Sequence, residues 1–110
     1  MRKEVVLKIK ALLDEKKAEN IEIFDLKNSD YFVDYVVIAT ALVDKHALAL
    51  LDVLKKELKE QGESFLNIDD ENPSWIVADL GDILVHIFTQ DQREKFNLEE
   101  FLNQLTKKDS

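Results

Sequence analysis

Residues 75–88, W-I-V-A-D-L-G-D-I-L-V-H-I-F, constrain the fold more than any other stretch of the chain. Two apolar runs flank Gly81-Asp82. A two-residue loop with Gly first suits a type II′ turn, whose twist matches the flanking strands. Such a loop sets the register, so that Leu80 opposes Ile83, Ala78 opposes Val85 and Ile76 opposes Ile87. All six residues are apolar and share one face, as a buried sheet face requires. The other face pairs Asp79 with Leu84, Val77 with His86 and Trp75 with Phe88. An aromatic pair beside a carboxylate and an imidazole is neither ordinary core nor ordinary solvated surface, and it reads as a docking surface.

The remaining segments supply partners for the apolar face. Residues 2–20 place Val5, Val6, Ile9, Leu12 and Leu13 at helical spacing with Lys between them. Residues 21–26 alternate as a short strand, and Lys27-Asn28-Ser29-Asp30 is a turn cluster. Residues 33–40, V-D-Y-V-V-I-A-T, suit a central strand covered on both faces. Asp44 is the predicted N-cap of a helix that ends with Gly62 at C′. Its wide stripe, Ala47, Leu48, Leu50, Leu51, Val53, Leu54 and Leu58, belongs on the sheet. Residues 65–68 predict a further strand, and residues 91–105 a closing helix carrying Phe96, Leu98, Phe101, Leu102 and Leu105. The order α-β-β-α-β-β-β-α predicts an α/β (α+β) fold, a mixed β-sheet with flanking helices, in one domain over residues 1–110.

Composition removes several function classes. The chain has no cysteine, which excludes a disulfide framework, a thiol nucleophile and a thiolate metal site. No run approaches the ~18–20 apolar residues of a membrane span, and the N-terminus has no apolar signal core. A cytoplasmic protein with no membrane partner is the default. The net charge of −8 is unevenly placed: residues 1–56 carry ten acids and ten Lys/Arg, residues 57–110 thirteen acids and five Lys/Arg. Binding to phosphates through counterion release needs clustered Lys/Arg, so direct nucleic-acid binding is not expected of the second half. An acidic half steers toward basic partners.

Catalysis is poorly supported. The chain has no P-loop, no Gly-rich dinucleotide turn and no H-E-x-x-H pattern. His46 opens a helix and His86 sits mid-strand, so nothing in the spacing joins them as metal ligands. Asp79 and Asp82 resemble an acid/base couple, yet Asp82 occupies a turn position that favours Asp for its own reasons. No catalytic residue, metal or cofactor is expected. His46 is expected to hydrogen-bond locally. A cation at a helix start opposes the dipole, so Arg93 is expected to pair with a nearby acid or to reach toward a partner. Trp75 belongs to a strand whose apolar face is complete without it, and tryptophan is enriched among interface hot spots. Phe96 and Phe101 are available to cover it.

Several short motifs then fall in a familiar order: Asp25-Leu26, Asp30-Tyr31-Phe32-Val33, Asp44-Lys45-His46, Trp75-Ile76-Val77, Asp79-Leu80-Gly81-Asp82, Val85-His86-Ile87-Phe88, and Arg93-Glu94 leading to Phe96 and Leu98-Glu99. Over roughly residues 4 to 102 the chain resembles the ribosomal silencing factor family, also called Iojap-like or RsfS. The D-x-G-D-x-x-V-H-x-F segment after a tryptophan is the most specific piece. The resemblance implies a non-enzymatic translation repressor that binds ribosomal protein number fourteen of the large ribosomal subunit and sterically blocks subunit association. It also implies a nucleotidyltransferase-like fold without the catalytic apparatus, and a homodimer when free. Carried over by position, the contact surface includes Trp75, Asp79 and the region of Phe96. With the reading of the residues it gives Trp75 as apolar anchor, Asp79 and Asp82 as acids facing basic side chains, and Arg93 and Phe96 at the edge. Two departures stand out: Thr40-Ala41-Leu42-Val43 replaces a Gly-Thr-Ser-type turn, and Phe96 replaces a tyrosine. The competing readings are a residual nucleotide-binding enzyme of the nucleotidyltransferase fold, and a homodimeric adaptor.

Overall fold

The hairpin organises the sheet. In the computed structural model, which describes residues 2–107, strands β4 (Trp75–Asp79) and β5 (Ile83–Thr89) pair antiparallel in the register expected of a Gly81-Asp82 loop. The Leu80 N–H donates to the Ile83 carbonyl at 2.9 Å, and the Gly81 N–H donates to Asp79 Oδ1 at 2.7 Å. Gly81 sits at φ +102°, and a Cβ there would meet Leu66 Cδ1 at 3.1 Å. Leu66 is an exposed side chain and can give way; the backbone cannot. Gly81→Ala is expected to destabilise the fold by about 1–2 kcal/mol. Urea unfolding checks this, and a loss below about 0.5 kcal/mol would show that the turn tolerates a side chain.

The other elements are α1 (Arg2–Glu15), β1 (Glu19–Asp25), β2 (Tyr35–Ala41), α2 (Asp44–Glu60), β3 (Asn67–Asp69), α3 (Gln90–Phe96) and α4 (Leu98–Lys107). The five strands lie in the order β1-β2-β5-β4-β3, with β2 and β5 parallel and every other pair antiparallel. This is the expected mixed sheet. Strand β2 is buried along its whole length because it lies inside the sheet with helices on both faces. One face packs Val37, Ala39, Ile76, Val85 and Ile87 against Val6, Ile9 and Leu13 of α1 and against the buried leucines of α2. The second face carries Phe24, Val36, Ile38, Leu84 and Phe88, with Leu102 of α4 closed over them.

Several boundaries differ from expectation: β2 begins at Tyr35 rather than residue 33, and β3 spans Asn67–Asp69 rather than 65–68. Helix α1 stops at Glu15, well before residue 20, because Lys17 adopts φ +73°. The N–H groups of Lys17 and Ala18 then donate to the Asp14 and Leu13 carbonyls, a Schellman ending built without glycine. This frees Glu19 and Asn20 to begin β1. Helix α2 ends the same way, here at Gly62 with φ +82° as expected. Its N-cap, however, is Val43, not Asp44. The Asp44 carboxylate instead accepts a hydrogen bond from the Ser74 hydroxyl at 2.8 Å. The expected single closing helix is two, α3 and α4, broken at Asn97, which sits in the left-handed region at φ +45°. Asparagine tolerates that region better than most residues.

Candidate docking surface

Side chains paired across neighbouring strands point to the same side, so three rows cross the second face of the sheet. The first runs Asn67, Asp79, Leu84, Val36, Phe24, and the second runs Asp69, Val77, His86, Ile38, Glu22. The third contains Trp75, Phe88 and Thr40. Helix α4 lies against β1 and closes that side of the face. Helix α3 crosses the third row, with Phe96 against Trp75 and Arg93 against Thr40. The β3–β4 side stays open: Asn67 and Asp69 are exposed, and Trp75, Val77 and Asp79 are half-buried.

Trp75 is held from three directions. Its ring stacks on Phe88 at 5.2 Å and 27°, and meets Phe96 at 4.4 Å. Its indole N–H donates to His86 Nδ1 at 3.1 Å. That bond makes Nδ1 the acceptor and places the ring proton on Nε2. His86 is 7% exposed and lies parallel to Phe88, and burial pushes its pKa down to about 4. A neutral imidazole thus orients the indole, and Phe96, 46% exposed, presents the aromatic pair to solvent.

The other residues singled out in the sequence are dispersed. Asp79 shares this face at the far end of β4, and one of its carboxylate oxygens is engaged by the Gly81 N–H. Asp82 does not join it. Its carboxylate takes both Nε and Nη2 of Arg2, at 2.6 and 3.0 Å, which ties the hairpin turn to α1. Arg2 also pairs with Glu63 at 2.8 Å. The Arg2 guanidinium is held above its usual pKa, first by the hydrogen bond to Asp82.

Arg93, expected at the edge of the surface, is 6% exposed and engaged inward. Nη1 donates to Thr40 Oγ1 at 2.7 Å and to the Asn20 carbonyl; Nη2 donates to Glu22 at 2.9 Å and Nε to Glu99 at 2.7 Å. One side chain thereby joins α3, α4, β1 and β2. Its hydrogen bond holds the Glu99 carboxyl below the usual range, and the neighbouring Glu99 pushes Glu22 up. Of the two alternatives for Arg93, the structure takes the pairing with nearby acids. His46 accepts locally from the Leu42 N–H at 2.9 Å, as expected, but its other ring nitrogen also reaches the distant Lys16 carbonyl at 2.8 Å.

Sequence reasoning passed over Asn67 and Asp69, which complete the open side. Their alternation opposite Asp79 and Val77 was the available signal. It also passed over Thr40 and Glu99, which have no local mark of their role. Among the described residues, no group of three or more His, Cys, Asp or Glu is placed to hold a metal ion. The described surface brings an aromatic pair beside an acidic sheet edge.

Known proteins resemble this sequence and share this fold. The profile of the family described as "Ribosomal silencing factor during starvation" matches residues 2–110. A ribosomal silencing factor RsfS of Halalkalibacterium halodurans is 34% identical over 89 residues, which cover 80% of this chain and 76% of that protein. The Bacillus subtilis factor of the same name is 32% identical over 102 residues, 91% of this chain and 86% of the relative. A crystal structure of a Bacillus halodurans protein superposes with a TM-score of 0.79 at 31% identity, covering 90% of this chain and 93% of that one. A Chromobacterium violaceum protein superposes more closely, with a TM-score of 0.89 over 94% of this chain and 87% of that one. At 21% identity it speaks to the fold alone. By sequence and by fold together, the chain belongs to the ribosomal silencing factor family.

Proposed function

We propose that this protein represses translation without catalysis, acting in the cytoplasm. It docks on ribosomal protein number fourteen of the large subunit and blocks association with the small subunit. The observation that carries the reading is the Trp75–Phe96 pair, locked by His86 and Phe88 at the open side of the sheet. A ring whose rotamer is already fixed loses little entropy on binding, which is the property of an interface anchor. The exposed carboxylates of Asp69, Asp70 and Glu71 border the same open side and favour a basic partner. Asp79 is retained as a contact. Asp82 and Arg93 serve the surface indirectly, by fixing the hairpin turn and helix α3.

Adding the protein to separated ribosomal subunits is expected to lower the joined-ribosome peak in a sucrose gradient. Phe96→Ala is the cleaner variant, since Trp75→Ala also removes the bond to His86 and the stacking on Phe88. Phe96→Ala is expected to weaken binding to isolated large subunits by about tenfold with little change in stability. An unchanged joined-ribosome peak at excess wild-type protein would sink the reading. Wild-type affinity in Phe96→Ala would remove the aromatic pair as anchor.

A further inference from the structure

A second aromatic cluster lies on the same side of the sheet, between the β1–β2 loop and α4. The Tyr31 ring meets Phe32 at 4.6 Å and Phe101 edge-on at 5.9 Å. Tyr31 is half-buried and supports the other two, whereas Phe32 is 71% exposed and Phe101 48%. Isolated exposed apolar residues are commonplace, but two exposed rings joined through a third, one on a loop and one on a helix, are not.

The charges around the cluster restrict what can sit on it. The segment 25–34 carries Asp25, Asp30 and Asp34 against Lys27 alone. Lys27 is turned aside: its ammonium lies 5.2 Å over the Tyr35 ring and 3.8 Å from Asp25. Among the described residues, no hydrogen bond or ion pair engages the exposed Asp30 carboxylate. Phosphate is repelled by this set, so an RNA strand is disfavoured. A guanidinium satisfies both parts, with its plane on the Phe32 ring and its N–H groups directed to Asp30.

We propose that Tyr31, Phe32 and Phe101 form a second contact for the partner, one that receives an arginine side chain from a basic protein segment. The inference rests on the docking reading above, since it places both contacts on one side of the sheet. It gives that side two aromatic anchors of different kind. Trp75–Phe96 is apolar and preorganised; Phe32–Asp30 is charge-selective.

Two measurements decide it. In the first, aromatic NMR signals are followed while a short arginine-containing peptide, or its lysine counterpart, is added. Shifts confined to Tyr31, Phe32 and Phe101, larger with arginine and abolished in Phe32→Ala, are expected. In the second, binding to large subunits is compared for wild type, Phe32→Ala and Phe96→Ala. Phe32→Ala is expected to weaken binding by about fivefold to tenfold, with a shallower salt dependence in the companion variant Asp30→Asn. Wild-type binding in Phe32→Ala, alongside a loss in Phe96→Ala, overturns the second contact and leaves the docking reading intact. A loss in Phe32→Ala without any response to the arginine peptide keeps the contact and overturns arginine as its occupant. If wild-type protein itself does not bind large subunits, the docking reading fails, and the peptide titration alone decides the site.

Discussion

Arg93→Ala is expected to lower the unfolding free energy by about 3–4 kcal/mol, the largest loss from any single substitution at the candidate surface. The guanidinium is 6% exposed and its partners come from four elements. Truncation leaves the Thr40 hydroxyl, itself 1% exposed, and the Asn20 carbonyl without their donor. Each such orphaned group costs about 1–3 kcal/mol. The pair with Glu22 adds little, because that carboxylate is 48% exposed and screened by water; Glu99, at 27%, counts for more. Arg93→Lys keeps the charge but not the planar fork, and an ammonium cannot reach the same set of acceptors. It is therefore expected to recover less than half of the loss. Urea unfolding of the three proteins measures this, and a loss under about 1 kcal/mol in Arg93→Ala would mean that α3 and α4 stay seated without the clamp.

Arg93 also shows where sequence reading reaches its limit. Near a helix start a cation has no local reason to turn inward, and the acceptors that draw it in lie on β1 and β2, far away in the chain. Asp82 is similar. Its turn position was legible from Gly81 and the alternation on either side, but its partner Arg2 is eighty residues distant. Periodicity carries information over one element, which is why the β4–β5 register and both of its faces could be read before the fold was known. Loop chemistry carries it only when the residue is distinctive: Gly62 announced the end of α2, whereas Lys17 and Asn97 adopt positive φ without a glycine to mark them. The proposed docking surface was half-legible for the same reason. Trp75, Val77 and Asp79 follow from one strand; Phe96 was named by its ring and motif, but its seat against Trp75 depends on a helix break at Asn97.

The surface should also respond to acid through His86. In the unfolded chain this imidazole titrates near its ordinary value of about 6.5; in the folded protein burial lowers it to about 4. Above the unfolded value the ring is neutral in both states and contributes no pH dependence. Between the two values the unfolded chain binds a proton that the folded chain refuses, so stability falls as pH falls from about 6.5 to about 4. The full interval corresponds to a loss of about 3 kcal/mol. Carboxylates titrate in the lower part of this range as well, so the informative quantity is a difference. The stability of wild type relative to His86→Asn is expected to decline by about 3 kcal/mol between pH 7 and pH 4, because asparagine keeps an acceptor for the Trp75 indole and does not titrate. Tryptophan fluorescence provides a local readout, since protonating Nδ1 removes the acceptor of the Trp75 N–H at the centre of the anchor. A pH-independent difference between the two proteins would show that His86 is freely hydrated and that the indole is positioned by Phe88 and Phe96 alone.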